Sequence, residues 1–388
     1  MTFALGPEWG GALWPLLLGI TALWMLLLVV GVLEARALPP LAPMAPPAQP
    51  PAAVAIVPAR DEGHQIERCL KSLLAQDWPG LRVVCVDDRS TDGTYELAQA
   101  IAEADPRLTV VRGTRLPEGW LGKNHANAQG VQAAGPCELY LFTDADTVHA
   151  PHALPSAFAA LERHRVGMLS ILTNLELRTF WEKALLTNVI GSIASAFPVS
   201  LVNLPRAPVA IANGQFLLVR RAAYESVGGH AAIHDRVADD LELARLFKRG
   251  GHGLRVEDGR GLVSVRMYTN LPDIWAGFVK NGVAGSGGAV MALLGAVFLA
   301  GTLLPFAVLP WAVVREDWYL AALAFAGVLA AWGQRLFLFS RLFSVSPLYG
   351  LLVPVTQLML AAILVQSALR RLTGRGPTWK GRTYPRAR

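Results

Sequence analysis

The sequence predicts an α/β domain with a mostly parallel sheet, set between apolar segments at the two ends of the chain. In the middle of the chain, short apolar runs alternate with amphipathic helical patterns, as parallel strands and their crossover helices do. Acidic motifs follow several of these runs, where the carboxyl ends of parallel strands form a binding crevice. The 388-residue chain is 53% hydrophobic, which is too apolar for one soluble domain, and the excess lies in nearly uncharged segments near its two ends.

The N-terminal region predicts a membrane anchor and a spacer. The uncharged run Gly11–Leu33 is long enough to cross a bilayer and longer than the core of a signal peptide. We therefore predict a transmembrane anchor over residues 1–36. Proline dominates residues 37–51, which predicts a semi-rigid, extended spacer without a core of its own that holds the next domain away from the bilayer.

Residues 52–270 carry the strand–helix alternation. Helical patterns run from Ile66 to Leu74 and from Tyr95 to Ala102. The predicted strands are Val54–Val57, Arg82–Val86, Leu108–Val111 and Leu139–Phe142. Because these strands are continuously apolar, they predict a sheet covered by helices on both faces. The three cysteines have no metal-like spacing, and they fit core positions in a reducing compartment.

The C-terminal region predicts further contact with a membrane. Residues 271–285 form an amphipathic pattern, which fits either a helix in the membrane interface or a surface helix packed on the domain. Residues 286–369 hold three apolar segments, which are Gly287–Val314, Trp318–Phe339 and Pro347–Leu369. Their lengths and low charge predict membrane spans. The basic tail 370–388 favours the cytoplasmic face and anionic lipids, and no base-reading module accompanies it, so we expect no nucleic-acid partner.

The charge of the tail constrains the topology. A cytoplasmic domain followed by three full spans would put the tail outside, against the positive-inside rule. One segment is therefore re-entrant, or the tail breaks the rule. We predict that Trp318–Phe339, which Arg335 interrupts, is the incomplete span, and that domain and tail both lie on the cytoplasmic side of a bacterial-type inner membrane.

The most informative motif is the pair of acids Asp144 and Asp146, which follows the predicted strand Leu139–Phe142. Alternate side chains at the end of a strand can point into the same crevice. Two carboxylates so close repel each other unless a cation lies between them, and a hard divalent ion that also holds phosphate oxygens is the usual solution. Alone, the pair fits a solvated turn equally well.

Other polar motifs also lie at strand or helix ends. Residues 58–62 follow the first strand, and the acids Asp87 and Asp88 follow the second, where a carboxylate can accept hydrogen bonds from a base or a ribose. Lys123 lies in a loop with flanking glycines and suits a phosphate, although a solvated lysine is an alternative. Asp239 and Asp240 open a helix, where the helix dipole favours acids and where a general base could also lie.

Together these motifs resemble the family-2 glycosyltransferases of GT-A fold. The resemblance covers nearly all of Val54–Asn281 and rests on Val-Pro-Ala-Arg-Asp-Glu, Val-Asp-Asp-Arg-Ser-Thr-Asp-Gly-Thr, Thr-Asp-Ala-Asp and Asp-Asp-Leu-Glu-Leu-Ala, in that order. Arg266–Tyr268, Trp275–Asn281 and Trp379–Tyr384 are similar to a membrane-anchored subgroup associated with hopanoid and carotenoid (diaponeurosporenoate-type) glycosylation. The resemblance implies a GT-A, Rossmann-like domain that takes a nucleotide-sugar donor, and we expect a UDP-sugar.

The resemblance also implies roles for individual residues. Asp240 would be the general base and Asp239 its neighbour, and Asp144 and Asp146 would hold Mg²⁺ or Mn²⁺ on the donor diphosphate. The implied donor-binding residues are Pro58, Ala59, Arg60, Glu62, Asp87, Asp88, Lys123 and Asp144. The implied acceptor loop consists of Asn213, Gly214 and Gln215, with Trp275 nearby.

These roles predict an inverting transfer of one sugar to a membrane lipid, such as a hopanoid, a carotenoid or another polyprenyl lipid or glycolipid. Processive polysaccharide synthases of the family carry Gln-x-x-Arg-Trp after the base, and Trp275–Asn281 stands there instead. Three alternatives remain: a polysaccharide synthase, a nucleotidyl or phosphosugar transferase, and a membrane scaffold with a degenerate domain. A nucleotidyl or phosphosugar transferase would need a glycine-rich phosphate loop, which residues 58–63 do not form. A scaffold would not need a general base, so the acids Asp239 and Asp240 argue against it.

Overall fold

A computed structural model describes residues 7–286, 288–373, 378–379 and 382–383. Within them the chain divides into two compact units. The helical unit comprises the described residues of Met1–Ala37, Leu177–Pro198 and Tyr268–Thr373. The sheet unit comprises those of Leu38–Glu176, Val199–Met267 and Gly374–Arg388.

The strands and helices are numbered in chain order. The strands are β1 (Ala53–Ala59), β2 (Arg82–Asp87), β3 (Leu108–Arg112), β4 (Leu139–Phe142), β5 (Thr147–His149), β6 (Met168–Leu172), β7 (Asn174–Leu175), β8 (Leu217–Arg220), β9 (Leu254–Asp258), β10 (Val263–Val265), β11 (Thr378–Trp379) and β12 (Arg382–Thr383). The helices are α1 (Pro7–Ala37), α2 (Ile66–Leu74), α3 (Thr94–Ala104), α4 (Gly122–Ala133), α5 (Ala153–His164), α6 (Thr187–Ala196), α7 (Val199–Val202), α8 (Arg221–Ser226), α9 (Asp239–Arg249), α10 (Leu271–Ser286), α11 (Ala289–Gly301), α12 (Leu304–Val314), α13 (Trp318–Leu342) and α14 (Val353–Leu372). A π-helical segment lies at Glu182–Leu186, and 3₁₀ segments lie at Gly229–Ile233 and Pro347–Leu352.

The sheet unit is built on a seven-stranded sheet in the order β3-β2-β1-β4-β8-β6-β9, beside a three-stranded sheet in the order β5-β10-β7. In the larger sheet β8 runs antiparallel to both of its neighbours, and the other adjacent pairs are parallel. The predicted α/β fold with a mostly parallel sheet is therefore confirmed. Each strand run anticipated from the sequence is present.

Side chains that alternate along the strands bury the sheet on both faces. On one face Val57 and Leu141 pack with residues of α2 and α5, and on the other Ile56 and Phe142 pack with residues of α4 and α9. Helix α4 lies so close to β1 that a Cβ on Gly130 would stand 2.4 Å from Cγ2 of Ile56. Glycine at this position therefore sets the distance at which α4 and its N-terminal residues lie over the sheet.

The proline-rich segment differs from the free spacer that its composition predicts, because it lies on the sheet unit. Pro40 forms a parallel bridge with Asp258 at the end of the edge strand β9, and the Leu41 amide donates to the Asp258 carbonyl at 2.8 Å. The Met44 amide donates to Oγ of Ser156 at 2.9 Å. Proline is compatible with an edge position because only one side of the backbone has to pair there.

The predicted continuous domain over residues 52–270 is also interrupted. Leu177–Pro198, with the π-helical segment and α6, belongs to the helical unit, and the chain returns to the sheet unit at Val199. Residues 184–196 contain no charged side chain and many small ones, which suits a helix packed between other helices. Helix α6 has only 10 residues, which is too few for the apolar pattern of a membrane span, so the sequence did not predict that this segment joins the helical unit.

Four helices of the helical unit are long and apolar enough to cross a membrane: Leu13–Ala37, Ala289–Val314, Trp318–Leu342 and Pro347–Leu372. Helix α13 runs parallel to α1. Leu17 shares a buried cluster with Leu320, and toward the other end of both helices Nη2 of Arg341 donates to the Ala35 carbonyl at 3.2 Å. Helix α13 thus packs beside α1 along most of its length and is long and apolar enough to cross a membrane. That Trp318–Phe339 is the incomplete span stays a prediction.

The segment that doubles back is Pro347–Leu372. From the end of α13 the 3₁₀ segment returns along that helix, so that Nε1 of Trp332 donates to the Leu351 carbonyl at 3.3 Å. Helix α14 then runs antiparallel to α11, with Gln357 beside Thr302 and Leu364 beside Gly295. Arg335 does not interrupt α13, because polar side chains of the same unit surround it.

Helix α10, the predicted interfacial helix, packs within the helical unit. Its apolar residues Ile274 and Val279 are buried, and Oγ of Ser367 on α14 donates to the Val279 carbonyl at 2.6 Å. The predicted basic tail is described only in part. Strands β11 and β12 pair with each other, whereas residues 374–377, 380–381 and 384–388 lie outside the described residues, as do residues 1–6 of the predicted anchor.

Candidate active site

The two acids after β4 lie in different surroundings. Asp144 is partly exposed, and its Oδ1 lies 2.8 Å from Nζ of Lys123. Oδ1 of Asp146 is buried and has no hydrogen-bond partner. Burial, together with the nearby carboxylates of Asp144 and Glu62, raises the pKa of Asp146 to about 8. The site thus concentrates negative charge that the protein itself leaves partly uncompensated.

Lys123 joins this pair of acids to the pair at the start of α9. Its Nζ lies 2.8 Å from Oδ1 of Asp144 and 3.4 Å from Oδ2 of Asp239. Burial alone would lower the pKa of Lys123, but the surrounding carboxylates outweigh burial and hold the pKa well above its ordinary value. Lys123 is therefore a fixed positive charge between the two acidic motifs.

The loop before β8 brings its backbone against the second pair of acids. The Gly214 amide donates to Oδ2 of Asp240 at 3.1 Å, and Oδ1 of Asp240 accepts from the Leu241 amide at 2.7 Å. A Cβ on Gly214 would lie 3.2 Å from Nζ of Lys123 and 3.3 Å from Oδ2 of Asp240. Burial raises the pKa of Asp240 to about 6, and the neighbouring Asp239 adds to this effect. A carboxylate with this pKa can accept a proton near neutral pH.

Two loops at the carboxyl ends of β1 and β2 hold each other through reciprocal hydrogen bonds. The Asp61 amide donates to Oγ of Ser90 at 2.9 Å, and the Thr91 amide donates to Oδ1 of Asp61 at 2.8 Å. Nη1 of Arg60 donates to the Asp88 carbonyl at 2.7 Å. Asp61 and Arg89 both have positive φ angles, 51° and 59°. Such angles are uncommon outside glycine, so this network holds both loops in a defined shape beside the acids.

The predicted donor-binding residues near these loops differ in accessibility. Pro58 is partly exposed, whereas the Ala59 side chain is buried in the core. The Asp87 carboxylate is fully buried and accepts from the Ser90 amide, which makes it a turn residue rather than a surface group. Asp88 is also buried, with 4% of its surface exposed. The predicted residue Trp275 belongs to the helical unit, where its Nε1 donates to Oε1 of Gln366 at 2.5 Å.

The acidic residues fit a divalent cation that is completed by a ligand. Among the described residues, no group of three or more His, Cys, Asp or Glu side chains is arranged to hold a metal ion. The pair Asp144 and Asp146 nevertheless offers carboxylate oxygens, which hard cations prefer, and one of these oxygens is buried without a partner. Mg²⁺ commonly takes only one or two protein carboxylates and completes its coordination with phosphate oxygens and water.

Comparison with known proteins identifies the sheet unit. Residues 54–228 match the family model described as Glycosyl transferase family 2. Residues 54–228 are therefore similar to family 2 glycosyltransferases, and we call them the family 2 domain after the model that they match. The matched region contains β1 to β8, together with the acids after β4, Lys123 and the Gly214 loop.

Two curated relatives are similar to the chain beyond the family 2 domain. Both are described as 4,4'-diaponeurosporenoate glycosyltransferase. The protein of Staphylococcus aureus (strain MRSA252) is 27% identical over 255 residues, which cover 63% of this chain and 64% of that protein. The protein of Staphylococcus haemolyticus (strain JCSC1435) is 25% identical over 218 residues, which cover 55% of this chain and 56% of that protein. The match thus spans less than two thirds of either relative.

A solved structure supports the fold. A mannosyltransferase from Pyrobaculum calidifontis, solved in complex with GDP-Man and Mn²⁺, superposes with a TM-score of 0.57 at 20% identity. The superposition covers 92% of this chain and 98% of that one. The family 2 domain therefore has the GT-A-like fold that the sequence resemblance implies.

Sequence reasoning missed a buried network beneath the Asp144–Asp146 pair. Oγ1 of Thr143 donates to the Gln215 carbonyl at 2.7 Å, and Oγ1 of Thr147 donates to the Asp144 carbonyl at 2.7 Å. Nε2 of His149 lies 2.9 Å from Oγ1 of Thr147 and 3.1 Å from Oγ1 of Thr143. Burial lowers the pKa of His149 to about 3. A neutral imidazole in the family 2 domain therefore ties the acidic turn to the Gly214 loop.

Asn124 was also missed, although it directly follows Lys123. Its Nδ2 lies 2.7 Å from the Ile233 carbonyl, 2.9 Å from the Arg236 carbonyl and 3.3 Å from the His234 carbonyl. This buried amide fastens the start of α4 to the loop that leads into α9. Its only sequence signal was its position beside the lysine.

We expect Asn124→Ala to lower the free energy of unfolding by about 1–3 kcal/mol, because the substitution removes a buried side-chain donor and its hydrogen bonds to the Ile233 and Arg236 carbonyls. Thermal denaturation of the full-length protein in detergent measures this loss. A matched control is Gln99→Ala, because Gln99 is a partly exposed residue of α3. This substitution should change the free energy of unfolding by less than about 0.5 kcal/mol. Equal stability of wild type and Asn124→Ala would contradict the role assigned to this amide.

Proposed function

We propose that this chain is an inverting glycosyltransferase, which moves one sugar from a nucleotide-sugar, a UDP-sugar in its natural reaction, to a membrane lipid. One observation carries the proposal. Lys123, which pairs with Asp144 and suits a donor diphosphate, and Asp240, which suits a general base, meet at Gly214, where a Cβ would lie 3.2 Å from Nζ of Lys123 and 3.3 Å from Oδ2 of Asp240. A group transfer from a phosphate to a hydroxyl needs these two elements side by side.

The donor would lie across the ends of β1, β2 and β4. The loops at Arg60–Glu62 and Asp88–Ser90, which hydrogen-bond each other, would enclose the nucleoside. The ammonium of Lys123 would lie against the diphosphate oxygens. These oxygens would take the place of the Asp144 carboxylate as the anionic partner of Lys123. Asp144 and Asp146 would hold Mg²⁺ or Mn²⁺, which supplies Lewis-acid stabilisation of the departing nucleoside diphosphate when bound.

When the acceptor is a hydroxyl group, Asp240 would deprotonate its oxygen as that oxygen attacks the anomeric carbon of the sugar, whereas an ionised carboxylate acceptor would need no strong base. The bond from the anomeric carbon to the diphosphate oxygen breaks as the new bond to the acceptor forms, so one in-line displacement inverts the anomeric centre. The Gly214 and Leu241 amides hold the two oxygens of Asp240 and thereby fix its orientation. Asp239 and Lys123 tune its charge.

Two findings support a lipid acceptor and a membrane setting. Within the part of the chain that the structure describes, four helices are long and apolar enough to cross a bilayer. The curated relatives are named for glycosylation of diaponeurosporenoate, a lipophilic acid. We therefore propose an acceptor from the carotenoid, hopanoid or related polyprenyl class, taken up from the bilayer by a multi-pass protein of a bacterial-type inner membrane.

The path of the helical unit supports a cytoplasmic family 2 domain. If α1, the α11–α12 pair and α13 cross the membrane and Pro347–Leu372 re-enters, then α14 ends on the side where α1 ends. The basic residues that follow α14 then lie on the same side as the family 2 domain, as the positive-inside rule expects. The re-entrant segment removes the conflict between domain and tail.

Nucleotide release from the purified full-length protein tests the proposal. The protein in detergent is mixed with UDP-glucose, Mn²⁺ and total bacterial lipid, and UDP release is measured with and without the lipid. We expect lipid-dependent release, with a lipid whose mass increases by one hexose. Parallel reactions with GDP- and dTDP-sugars identify the donor. If a folded protein releases no nucleotide from any of these donors, the proposal is wrong.

The rate of transfer should depend on pH through Asp240. The base is active when it is deprotonated, and its pKa lies at about 6. We therefore expect kcat to rise about tenfold for each pH unit below this value and to level off above it. A pH profile from 5 to 8 with a saturating donor measures the midpoint. A profile that is flat across this range would show that Asp240 is not the proton acceptor.

A further inference from the structure

A charged side chain lies inside the helical unit without a charged partner. Arg335 is on α13, seven residues before the end of that helix, and only 2% of its surface is exposed. Its Nη2 donates to Oγ of Ser192 at 3.0 Å and to Oε1 of Gln357 at 3.2 Å. Both partners are neutral, and no carboxylate among the described residues pairs with this guanidinium. A buried charge that only neutral groups solvate is costly, and such residues in apolar helices generally mark sites of function.

Part of the hydrogen-bonding capacity of the guanidinium is unused. Nε and Nη1 of Arg335 are buried and have no hydrogen-bond partner. On the facing helix α6, a Cβ on Gly191 would lie only 3.2 Å from Nη1, so glycine lets the guanidinium lie close against this helix. Two donors of this planar cation remain without an acceptor there.

Neighbouring polar groups are unpartnered in the same way. Asn188 lies one helical turn before Ser192 on the same face of α6, is 1% exposed, and has no partner for either its Nδ2 or its Oδ1. Gln334, next to Arg335, donates to Oγ of Ser195 at 3.2 Å, while its Oε1 is buried without a partner. Native proteins rarely leave several buried polar groups unsatisfied in one place, which points to a ligand that completes them.

We propose that Arg335, Asn188 and Gln334 form a binding site for the headgroup of an acidic lipid. The guanidinium would hold a phosphate or carboxylate oxygen through Nε and Nη1, as arginine does in paired hydrogen bonds. The amides of Asn188 and Gln334 would bind hydroxyl groups of the same headgroup. This site rests on the membrane insertion proposed above and extends it, because it names the class of lipid that the helical unit recognises.

The position of the site favours a lipid over a free anion. Seven residues of helix separate Arg335 from Leu342, which is about 10 Å along the axis. A headgroup can reach this depth from the nearer membrane surface. Exposed apolar side chains on the same helices, such as Phe325, Leu329 and Leu358, offer a surface for acyl chains. A free anion would gain nothing from that surface.

Lipid selection by the purified, full-length protein tests the proposal. The protein is delipidated in detergent and offered equimolar phosphatidylglycerol and phosphatidylcholine, and native mass spectrometry counts the bound lipids. We expect phosphatidylglycerol to be retained about tenfold or more over phosphatidylcholine, the ratio that charge-assisted hydrogen bonds give. Equal retention of the two lipids by the wild type would contradict the proposal. Because this test uses only the wild-type protein, it does not depend on whether a variant folds.

Variants locate the site. Arg335→Gln should remove the preference, and Arg335→Lys should keep part of it, because an ammonium retains the charge but not the paired donors. Arg341→Gln is the matched control, since it removes a charge from the exposed end of the same helix and should leave the preference unchanged. If Arg335→Gln keeps the preference, or if inorganic phosphate alone abolishes it at equal concentration, the site is not a lipid site.

Binding and transfer are separable in this design. Asp240→Asn should retain the lipid preference, because Asp240 belongs to the sheet unit and the measurement does not require turnover. Loss of transfer in that variant with unchanged lipid binding supports both proposals. A wild type that selects the acidic lipid but transfers no sugar would overturn the proposed function alone.

Discussion

Asp240→Asn is expected to lower kcat for sugar transfer to a hydroxyl acceptor by about 10²–10⁴-fold. Asparagine has the same shape as aspartate, and its single oxygen can still accept from one of the two amides that hold the carboxylate, that of Gly214 at 3.1 Å or that of Leu241 at 2.7 Å. The amide cannot take a proton, so the loss should fall on the chemical step and leave the KM for the donor nearly unchanged. Initial rates of nucleotide release over a range of donor concentrations separate these two effects.

Glu242→Gln is the matched control for this substitution. Glu242 lies in the first turn of the same helix, is partly exposed, and pairs with Nη1 of Arg245 at 2.6 Å. Its removal takes one acid from α9 but does not touch the Gly214 loop, so kcat should stay within about twofold. If Asp240→Asn is as active as this control on a hydroxyl acceptor, another group is the base.

Asp146→Asn is expected to abolish metal-dependent transfer and to stabilise the metal-free protein. The buried Oδ1 of Asp146 has no partner, and the neighbouring carboxylates repel it. An amide removes this repulsion, so we expect a gain in the free energy of unfolding of about 1 kcal/mol. The same substitution removes a predicted metal ligand, so the rate should fall about 10³-fold, the equivalent of several kcal/mol.

Thermal denaturation with and without Mn²⁺ and UDP checks both effects. The wild type should gain stability from the two ligands together, as linkage requires of any ligand that binds only the folded state. Asp146→Asn should start from a higher midpoint and gain little. Asp77→Asn serves as the control, since Asp77 is an exposed partner of His152 on the surface of the sheet unit. An equal Mn²⁺-dependent gain in Asp146→Asn would contradict the assignment of Asp146 as a ligand.

The parts of the fold that the sequence predicts depend on local patterns. Leu139–Phe142 is apolar throughout and ends in polar residues, so its strand and the position of the following acids at the sheet edge can be predicted from neighbours along the chain. The proline-rich segment shows the limit of this reasoning. Its composition predicts an extended backbone, and the backbone is extended, but its partners Ser156 and Asp258 lie far along the sequence.

The candidate site divides in the same way. The motifs place Lys123, Asp144 and Asp239 at element ends, and the parallel sheet brings these ends together, so their convergence follows from the predicted topology. Asn124 and His149 act through carbonyls and hydroxyls that only the tertiary structure brings near them. Similarly, a charge in an apolar segment predicts an interruption, whereas Arg335 lies in an unbroken helix because α6 supplies Ser192.

The excursion of the chain into the helical unit at Leu177–Pro198 constrains the order of folding. Ser192 and Arg335, which join α6 to α13, are separated by 143 residues. During synthesis α6 leaves the ribosome well before α13 and α14 exist, so the side of α6 that carries Ser192 lacks its partner Arg335 until 143 more residues have been made. Contacts of such long sequence separation form late. Until then a chaperone or the bilayer would have to cover this side of the segment Leu177–Pro198.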